Sequence, residues 1–367
     1  MAIMPAQEQK GGSLLRSVIR ILVVMSIILI GGIYFNQARE ENEVLHNSAT
    51  TNPAKHDMNM QKELEDRNKP VRAVEKPASG AGFYIGKESA LLRKAMGEPI
   101  RKDPSAYGYE WWIYNSNHQY VQFGVENNQV VTAYAAGDTD VSPFKMDQPA
   151  KDLFQMYDLR MDIVVENNSG TYRFELSEED YNMRPMVKVG DIYAQLYMDK
   201  FSGTLSSVRY LTRDYLIKQR PYEMVYRGEL PADPELSDSA WQQIENGSEK
   251  QIFDLTNIIR EKHNLNGLSW DEETAKVAKQ HSKEMYDKQY FAHESPSSGD
   301  LGDRLKEAKI DYELAGENIA ANYTDGPSAV EGWLNSKGHR EALLQKEFTS
   351  LGVGVYQKYY TQNFIAK

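Results

Sequence analysis

The chain of 367 residues contains no cysteine, and this absence excludes several kinds of chemistry. It excludes disulfides, a thiolate nucleophile, a zinc site built from cysteines and lipid attachment to a cysteine. Export from the cell is not excluded, because exported bacterial proteins often lack cysteine.

Basic residues are also fewer than acidic ones. The sequence has 42 Lys and Arg against 53 Asp and Glu, a net charge of -11, and no segment gathers basic residues into a cluster. Such a surface repels a phosphate backbone, so nucleic acid is not expected as a partner. The hydrophobic fraction of 41% is typical of globular proteins, and the length predicts two folded units.

One long uncharged apolar run, from Ile21 through Phe35, lies near the N-terminus. Together with the preceding turn, residues 14–35 amount to about 22 residues, or roughly 33 Å of helix, which is enough to cross a bilayer. We therefore predict a single transmembrane helix over residues 14–35.

The flanking charges predict how this helix is oriented. Arg16 and Arg20 precede the apolar run and Glu40 follows it, so residues 1–13 are expected to be cytoplasmic and the rest of the chain extracytoplasmic. A cleaved signal peptide, which would yield a secreted protein, is the alternative. The sequence Asn36–Gln37–Ala38 is a poor match to a cleavage site, which favours the anchor.

Beyond the anchor, residues 36–80 are polar and poor in aromatics, which predicts a flexible stalk. Tyrosine and tryptophan become frequent from about residue 81, and short strand patterns with a few helices predict a strand-rich, mixed α/β domain over residues 81–222. Asn127 and Asn128 suit a hairpin turn that needs positive φ. The aromatic side chains of these strands are more typical of a packed core than of a ligand-binding face.

Residues 223–247 contain Pro231 and Pro234 and are predicted to be a linker, which implies a modest contact between two domains. The C-terminal domain, residues 248–367, is predicted to begin with an amphipathic helix over Gln251–Lys262. A second helix is expected to follow, with Ser269 and Glu272 as a capping box.

Four ordered motif blocks in this C-terminal region resemble bacterial CAP domains, the SCP-like or cysteine-rich secretory type. The blocks are Leu268–Ser269–Trp270, Phe291 through Pro296, Gly316 through Ala320, and Trp333 through Arg340. The upstream domain resembles the CAP-associated N-terminal domain, and the whole arrangement is similar to uncharacterised membrane-anchored CAP proteins of Bacillus-like bacteria. The resemblance implies an α+β chain whose C-terminal domain is an α-β-α sandwich.

The resemblance also implies a cleft that gathers two histidines and two acidic residues. The matching positions are His293, Glu317 and His339, our candidate catalytic residues. The fourth position departs from the pattern because it holds Ser336, and Glu331 is the candidate to replace it. Two imidazoles and a carboxylate can hold Zn²⁺ with an open fourth position, so His293, His339 and Glu317 are also the candidate metal ligands and Zn²⁺ the candidate cofactor.

Two functions remain open at this point. The first is a binding or scaffolding module that engages a cell-envelope component, a lipid or a protein. The alternative is a metal-dependent hydrolase of peptide or wall material, so the sequence leaves open whether the protein is an enzyme. Ser295 is a conceivable nucleophile beside His293, but a serine before Pro296 is more typical of a cap or a turn.

Overall fold

A computed structural model describes residues 74–116 and 118–367. The predicted anchor, and the predicted stalk up to residue 73, lie outside these residues. The helices are α1 (Gly80–Phe83), α2 (Ser89–Met96), α3 (Ala150–Met156), α4 (Glu178–Met183), α5 (Arg213–Gln219), α6 (Asp238–Lys262), α7 (Glu272–Lys288), α8 (Leu301–Glu307), α9 (Gly326–Asn335) and α10 (Lys337–Leu343). None of the helices in these two ranges combines the length and the apolar character needed to cross a membrane.

The strands form three sheets. They are β1 (Arg101–Pro104), β2 (Glu110–Ser116), β3 (Gln119–Glu126), β4 (Gln129–Gly137), β5 (Asp162–Asn167), β6 (Gly170–Glu175), β7 (Met186–Val189), β8 (Ile192–Asp199), β9 (Thr204–Thr212), β10 (Glu223–Gly228), β11 (Ser269–Trp270), β12 (Leu314–Ala321), β13 (Ser350–Tyr356) and β14 (Tyr359–Ala366). The sheet orders are β1-β2-β3-β4-β9-β8-β7, β10-β6-β5 and β11-β13-β14-β12.

The seven-stranded sheet is built from hairpins with aromatic inner faces. Asn127 and Asn128 both have positive φ and join β3 to β4, as the sequence predicts. Trp111, Tyr120 and Tyr134 are almost completely buried, so the aromatic side chains of these strands are core residues. The first described residue, Val74, already pairs with Val189, so contact with this sheet begins before the predicted boundary at residue 81.

The segment predicted as a linker is more ordered than expected. Strand β10 pairs in register along β6, and helix α6 begins at Asp238 rather than at the predicted Gln251. Ser237 caps this helix by accepting a hydrogen bond from the Ala240 amide. The first turns are rich in polar residues, and for that reason the apolar periodicity revealed only the later part of the helix.

The C-terminal part is an α-β-α sandwich, as predicted. Neighbouring residues of β14 point to opposite faces: Thr361 hydrogen-bonds to Ser282 of α7, and Gln362 donates to Thr256 of α6. Helices α6 and α7 therefore cover opposite faces of the sheet. The approach of α7 is close, since a Cβ on Gly354 would lie 1.9 Å from the Lys279 backbone nitrogen.

The predicted cap of helix α7 is wrong. Ser269 lies in β11, where its amide donates to the Thr349 carbonyl, and Asp271 caps the helix by accepting from the Thr274 amide at 2.9 Å. Ser269 cannot cap the helix because it pairs with Ser350 in the short parallel bridge between β11 and β13.

The strand-rich part and the sandwich share one apolar cluster, which includes Trp111 and Tyr134 from the former and Ile258 and Trp333 from the latter. The expectation of a modest contact is therefore wrong. Arg209 of β9, only 1% exposed, forms two hydrogen bonds with the Asp325 carboxylate at 2.7 and 2.8 Å. A buried cation is tolerated here because the carboxylate neutralises it.

Candidate functional site

The candidate site lies at the edge of the sandwich sheet. Strand β12 is the edge strand next to β14, and Glu317 and Asn318 are consecutive residues on it. Consecutive strand residues face opposite sides, so Glu317 points toward the loop and helix that follow α7, and Asn318 points toward α10. Groups from both faces of the sheet can therefore meet around this edge.

Glu317 is held on both carboxylate oxygens. Its Oε1 lies 2.9 Å from Nδ1 of His293, which is in the loop between α7 and α8. Its Oε2 accepts from Nη2 of Arg304, on α8, at 2.5 Å. The Glu317 side chain is 4% exposed, whereas that of His293 is 47% exposed. The carboxylate therefore forms the base of the cleft and His293 faces solvent.

Arg304 also hydrogen-bonds to two residues that lie beside Glu317. Its Nη1 donates to the His293 carbonyl oxygen at 2.9 Å and to Nδ1 of His281 at 3.0 Å. Nε2 of His281 in turn lies 3.0 Å from the Ala292 carbonyl, so a neutral ring with its proton on Nε2 satisfies both contacts. His281 is a packed, hydrogen-bonded histidine, and burial lowers its pKa to about 4.

His339 completes the cleft from helix α10. Its ring centroid lies 6.3 Å from that of His293. Its carbonyl oxygen accepts from Nδ2 of Asn318, which ties α10 to the edge strand. Burial, followed by the neighbouring His293 charge, lowers the pKa of His339 to about 4. The imidazole is therefore neutral near pH 7, with one donor and one acceptor nitrogen.

The three predicted site residues thus lie in one cleft, but Glu331 does not join them. Its buried carboxylate points into the strand-rich part, where it accepts hydrogen bonds from Tyr134 at 2.6 Å and from Ser206 and Ser207. Burial raises the pKa of Glu331, and the three hydroxyls oppose that shift. The prediction of Glu331 as the fourth cleft residue is therefore wrong.

Ser295 has the turn role that its sequence context favours. Its Oγ donates to Glu284 and accepts from the amides of Ser297 and Ser298 at 3.1 and 3.0 Å. These contacts close the loop after His293. The Ser295 hydroxyl therefore hydrogen-bonds within the turn and to Glu284, and not to a histidine.

A metal ion does not fit the arrangement of these side chains. Among residues 74–116 and 118–367, no three His, Asp or Glu side chains are placed to hold a metal. The Glu317 carboxylate, which would be the anionic ligand, is already neutralised by Arg304 at 2.5 Å. A divalent cation on the same carboxylate would face the guanidinium charge at close range.

Sequence reasoning missed Arg304 and the role of His281 beside it. Arg304 adjoins Leu305, which is fully buried, on the inner side of a short helix. A charged residue in such a helix is usually exposed to solvent, so an arginine at this position does not indicate a functional site. Only the position of Glu317 explains why a cation is buried there.

The cleft also depends on the strand-rich part. Arg340, the residue after His339, binds both oxygens of Asp199 at 3.0 and 2.9 Å. Asn335, at the end of α9, donates to the Met198 carbonyl and accepts from the Lys200 amide, both at 2.8 Å. The β8–β9 turn therefore holds the junction between α9 and α10 from outside the sandwich.

Two family descriptions match the chain. Residues 85–222 match the CAP-associated N-terminal family, and residues 253–366 match the cysteine-rich secretory protein family, CAP. The first range covers most of the strand-rich part, and the second covers the sandwich with its cleft.

Similar proteins extend the match over most of the chain. An uncharacterised membrane protein, YlbC of Bacillus subtilis, is 53% identical over 298 residues, 81% of this chain and 86% of that protein. A crystal structure of an extracellular SCP-domain protein from Bacillus anthracis is 49% identical with a TM-score of 0.76, covering 82% of this chain and 99% of that one. A cysteine-rich secretory protein from Staphylococcus aureus is 25% identical with a TM-score of 0.71, covering 80% and 98%.

Proposed function

This chain belongs to the cysteine-rich secretory protein (CAP) family, and we propose that it uses the cleft of that domain to bind a polar component of the cell envelope. The observation that carries the proposal is the pairing of Glu317 with both His293 and Arg304. A carboxylate engaged in this way is a poor general base, but it orients His293 firmly for hydrogen bonding. The cleft therefore suits recognition more than proton transfer.

The nature of the ligand follows from the groups that face it. His293 is about half exposed, and the neighbouring His339 is a neutral imidazole near pH 7. A neutral imidazole such as that of His339 donates and accepts hydrogen bonds without presenting a charge. A sugar or peptide group of a wall polymer matches them better than an acyl chain, for which an apolar lining would be needed.

We further propose that the protein acts at the outer face of the membrane. The apolar character of the predicted anchor, residues 14–35, and the charges around it in the sequence support this topology. YlbC is called a membrane protein and the Bacillus anthracis protein is called extracellular, and both descriptions are consistent with this topology.

The hydrolase alternative has less support. It needs either a free base or a metal-activated water. Glu317 is paired with a cation, and Ser295 is engaged in a turn. The remaining candidate, His339, has a pKa lowered to about 4 and is a weak base.

The binding proposal is tested by cosedimentation of the full-length protein, in detergent micelles, with purified wall sacculi. His293→Ala combined with His339→Ala is expected to weaken binding by about tenfold or more, since both imidazoles of the cleft are lost. His118→Ala is the matched control, because that imidazole is 69% exposed and contacts Glu261 instead. Unchanged binding in the double variant would refute the proposal, and release of soluble wall fragments by the wild type would favour the hydrolase.

A further inference from the structure

The side chain of Arg304 occupies the electrostatic position that a metal ion would take in this cleft. Its guanidinium is only 6% exposed and contacts Glu317 Oε2, His281 Nδ1 and the His293 carbonyl oxygen. These partners surround the cation with an anion, a ring nitrogen and a carbonyl. All three are acceptors, which is the environment that a bound cation requires.

We propose that the guanidinium of Arg304 takes the place of a divalent metal ion in the cleft and prevents such an ion from binding there. This inference deepens the proposed function, because a cleft that works by hydrogen bonding alone has no need of a metal. Three features support it: the burial of the guanidinium, its contact with the sole carboxylate of the candidate ligand set, and its hold on the loop that carries His293.

Arg304 excludes a metal ion in two ways, by charge repulsion and by occupying an oxygen of Glu317. A Zn²⁺ ion bound by Glu317, His293 and His339 would stand a few ångströms from a buried positive charge, where solvent screens little. It would also compete with Arg304 for the Oε2 atom, the shortest contact that Glu317 makes. Removing the charge of Arg304 would release Glu317, leaving two histidines and one carboxylate beside each other.

A neutral residue at position 304 is therefore expected to create a metal site. Arg304→Gln keeps a polar group on the Glu317 side of the helix, and Arg304→Met keeps an unbranched aliphatic side chain without the charge. Both are expected to bind Co²⁺ or Zn²⁺ about a hundredfold or more tightly than the wild type, given the size of close charge repulsion. Arg304→Lys is the matched control, because it retains the positive charge and should still exclude the metal.

The experiment is a Co²⁺ titration of the full-length protein in detergent, followed by the visible absorption of the bound ion, with Zn²⁺ competition. The gained affinity should disappear when His339→Ala is added to Arg304→Gln. Thermal melting of each variant identifies those that fold, and the two neutral variants provide alternatives if one does not. Direct Co²⁺ binding by the wild type, lost in the His293→Ala and His339→Ala variant, would overturn the proposal, as would neutral variants that fold and gain nothing.

This titration and the sacculus assay can fail separately. A gained metal site in a protein that does not bind sacculi would leave the role of Arg304 intact and remove the proposed ligand. Conversely, sacculus binding by a wild type that also holds Co²⁺ through the cleft histidines would keep the ligand and remove the role of Arg304.

Discussion

Asp199 and Arg340 form a bidentate ion pair that joins the turn after β8 to the residue next to His339. Arg340 also lies over the ring of Phe201 from the same turn, 4.7 Å from its centroid. Both charged side chains are largely buried, so the pair is sheltered from solvent screening. A residue of the strand-rich part thus helps to set the position of a cleft histidine in the sandwich.

We expect Asp199→Ala to destabilise the protein and to loosen the cleft. Removing one partner of a buried ion pair leaves the other charge uncompensated, at a cost of about 3 kcal/mol in the free energy of unfolding. Wall binding should weaken as well, because helix α10 carries His339. Chemical denaturation and cosedimentation measure the two effects, with Asp191→Ala as the control, since Asp191 is 73% exposed and pairs with Lys76 at the surface. Full binding by Asp199→Ala would show that the turn does not position His339.

Asp325→Ala should be among the most damaging single changes at the contact between the two parts. Asp325 neutralises the buried Arg209 and also caps helix α9 by accepting from the Ser328 amide. Loss of both functions is expected to cost about 3 to 5 kcal/mol in the free energy of unfolding. Asp214→Ala, at a pair with both side chains at least half exposed, should cost less than about 1 kcal/mol. Similar costs for the two variants in denaturant titrations would contradict this assignment.

The protein should lose stability as the pH falls from 7 to 5, partly through His281. Burial lowers its pKa to about 4, below the usual value for histidine, so the unfolded state takes up the proton first. Stability from this residue is complete above the unfolded pKa and is lost as the pH falls toward 4, by about 2 kcal/mol between pH 7 and pH 5.

Urea denaturation at the two pH values measures the effect of pH. His281→Asn should reduce the difference by about that amount, whereas His118→Ala should leave it unchanged, because His118 is exposed. The charged groups around His281 are Arg304, Glu317 and Glu284, and burial is the largest cause of the shift in its pKa. An unaltered pH dependence in His281→Asn would assign the loss to other groups.

Two glycines in the sandwich should respond in opposite ways to alanine. At Gly354 the new Cβ would meet the backbone of helix α7 at 1.9 Å, so Gly354→Ala should destabilise the protein by several kcal/mol or prevent folding. Gly338, in helix α10, has nothing within 4 Å of the added atom, so Gly338→Ala should be neutral or stabilising by up to about 1 kcal/mol. Thermal melting of the pair is sufficient, and equal melting temperatures would disprove the close approach of α7 to the sheet.

The sequence anticipated much of the local structure because local signals are strong there. The hairpin at Asn127 and Asn128 and the burial of the tyrosine-rich strands follow from the sequence and are present. Helix α6 was predicted only in its apolar half, and Ser269 was assigned to a cap although it lies in a strand. Such errors arise at element ends, where tertiary contacts outweigh propensity.

The order of the motif blocks identifies the family and the sandwich, and it predicts that His293, Glu317 and His339 belong to one site. The contact of Glu331 with Tyr134 and the pairing of Arg304 with Glu317 are visible only in the folded chain. The physical reason is that the partner of a buried charge is set by packing between elements distant in the chain. Residue type and spacing carry no record of that packing.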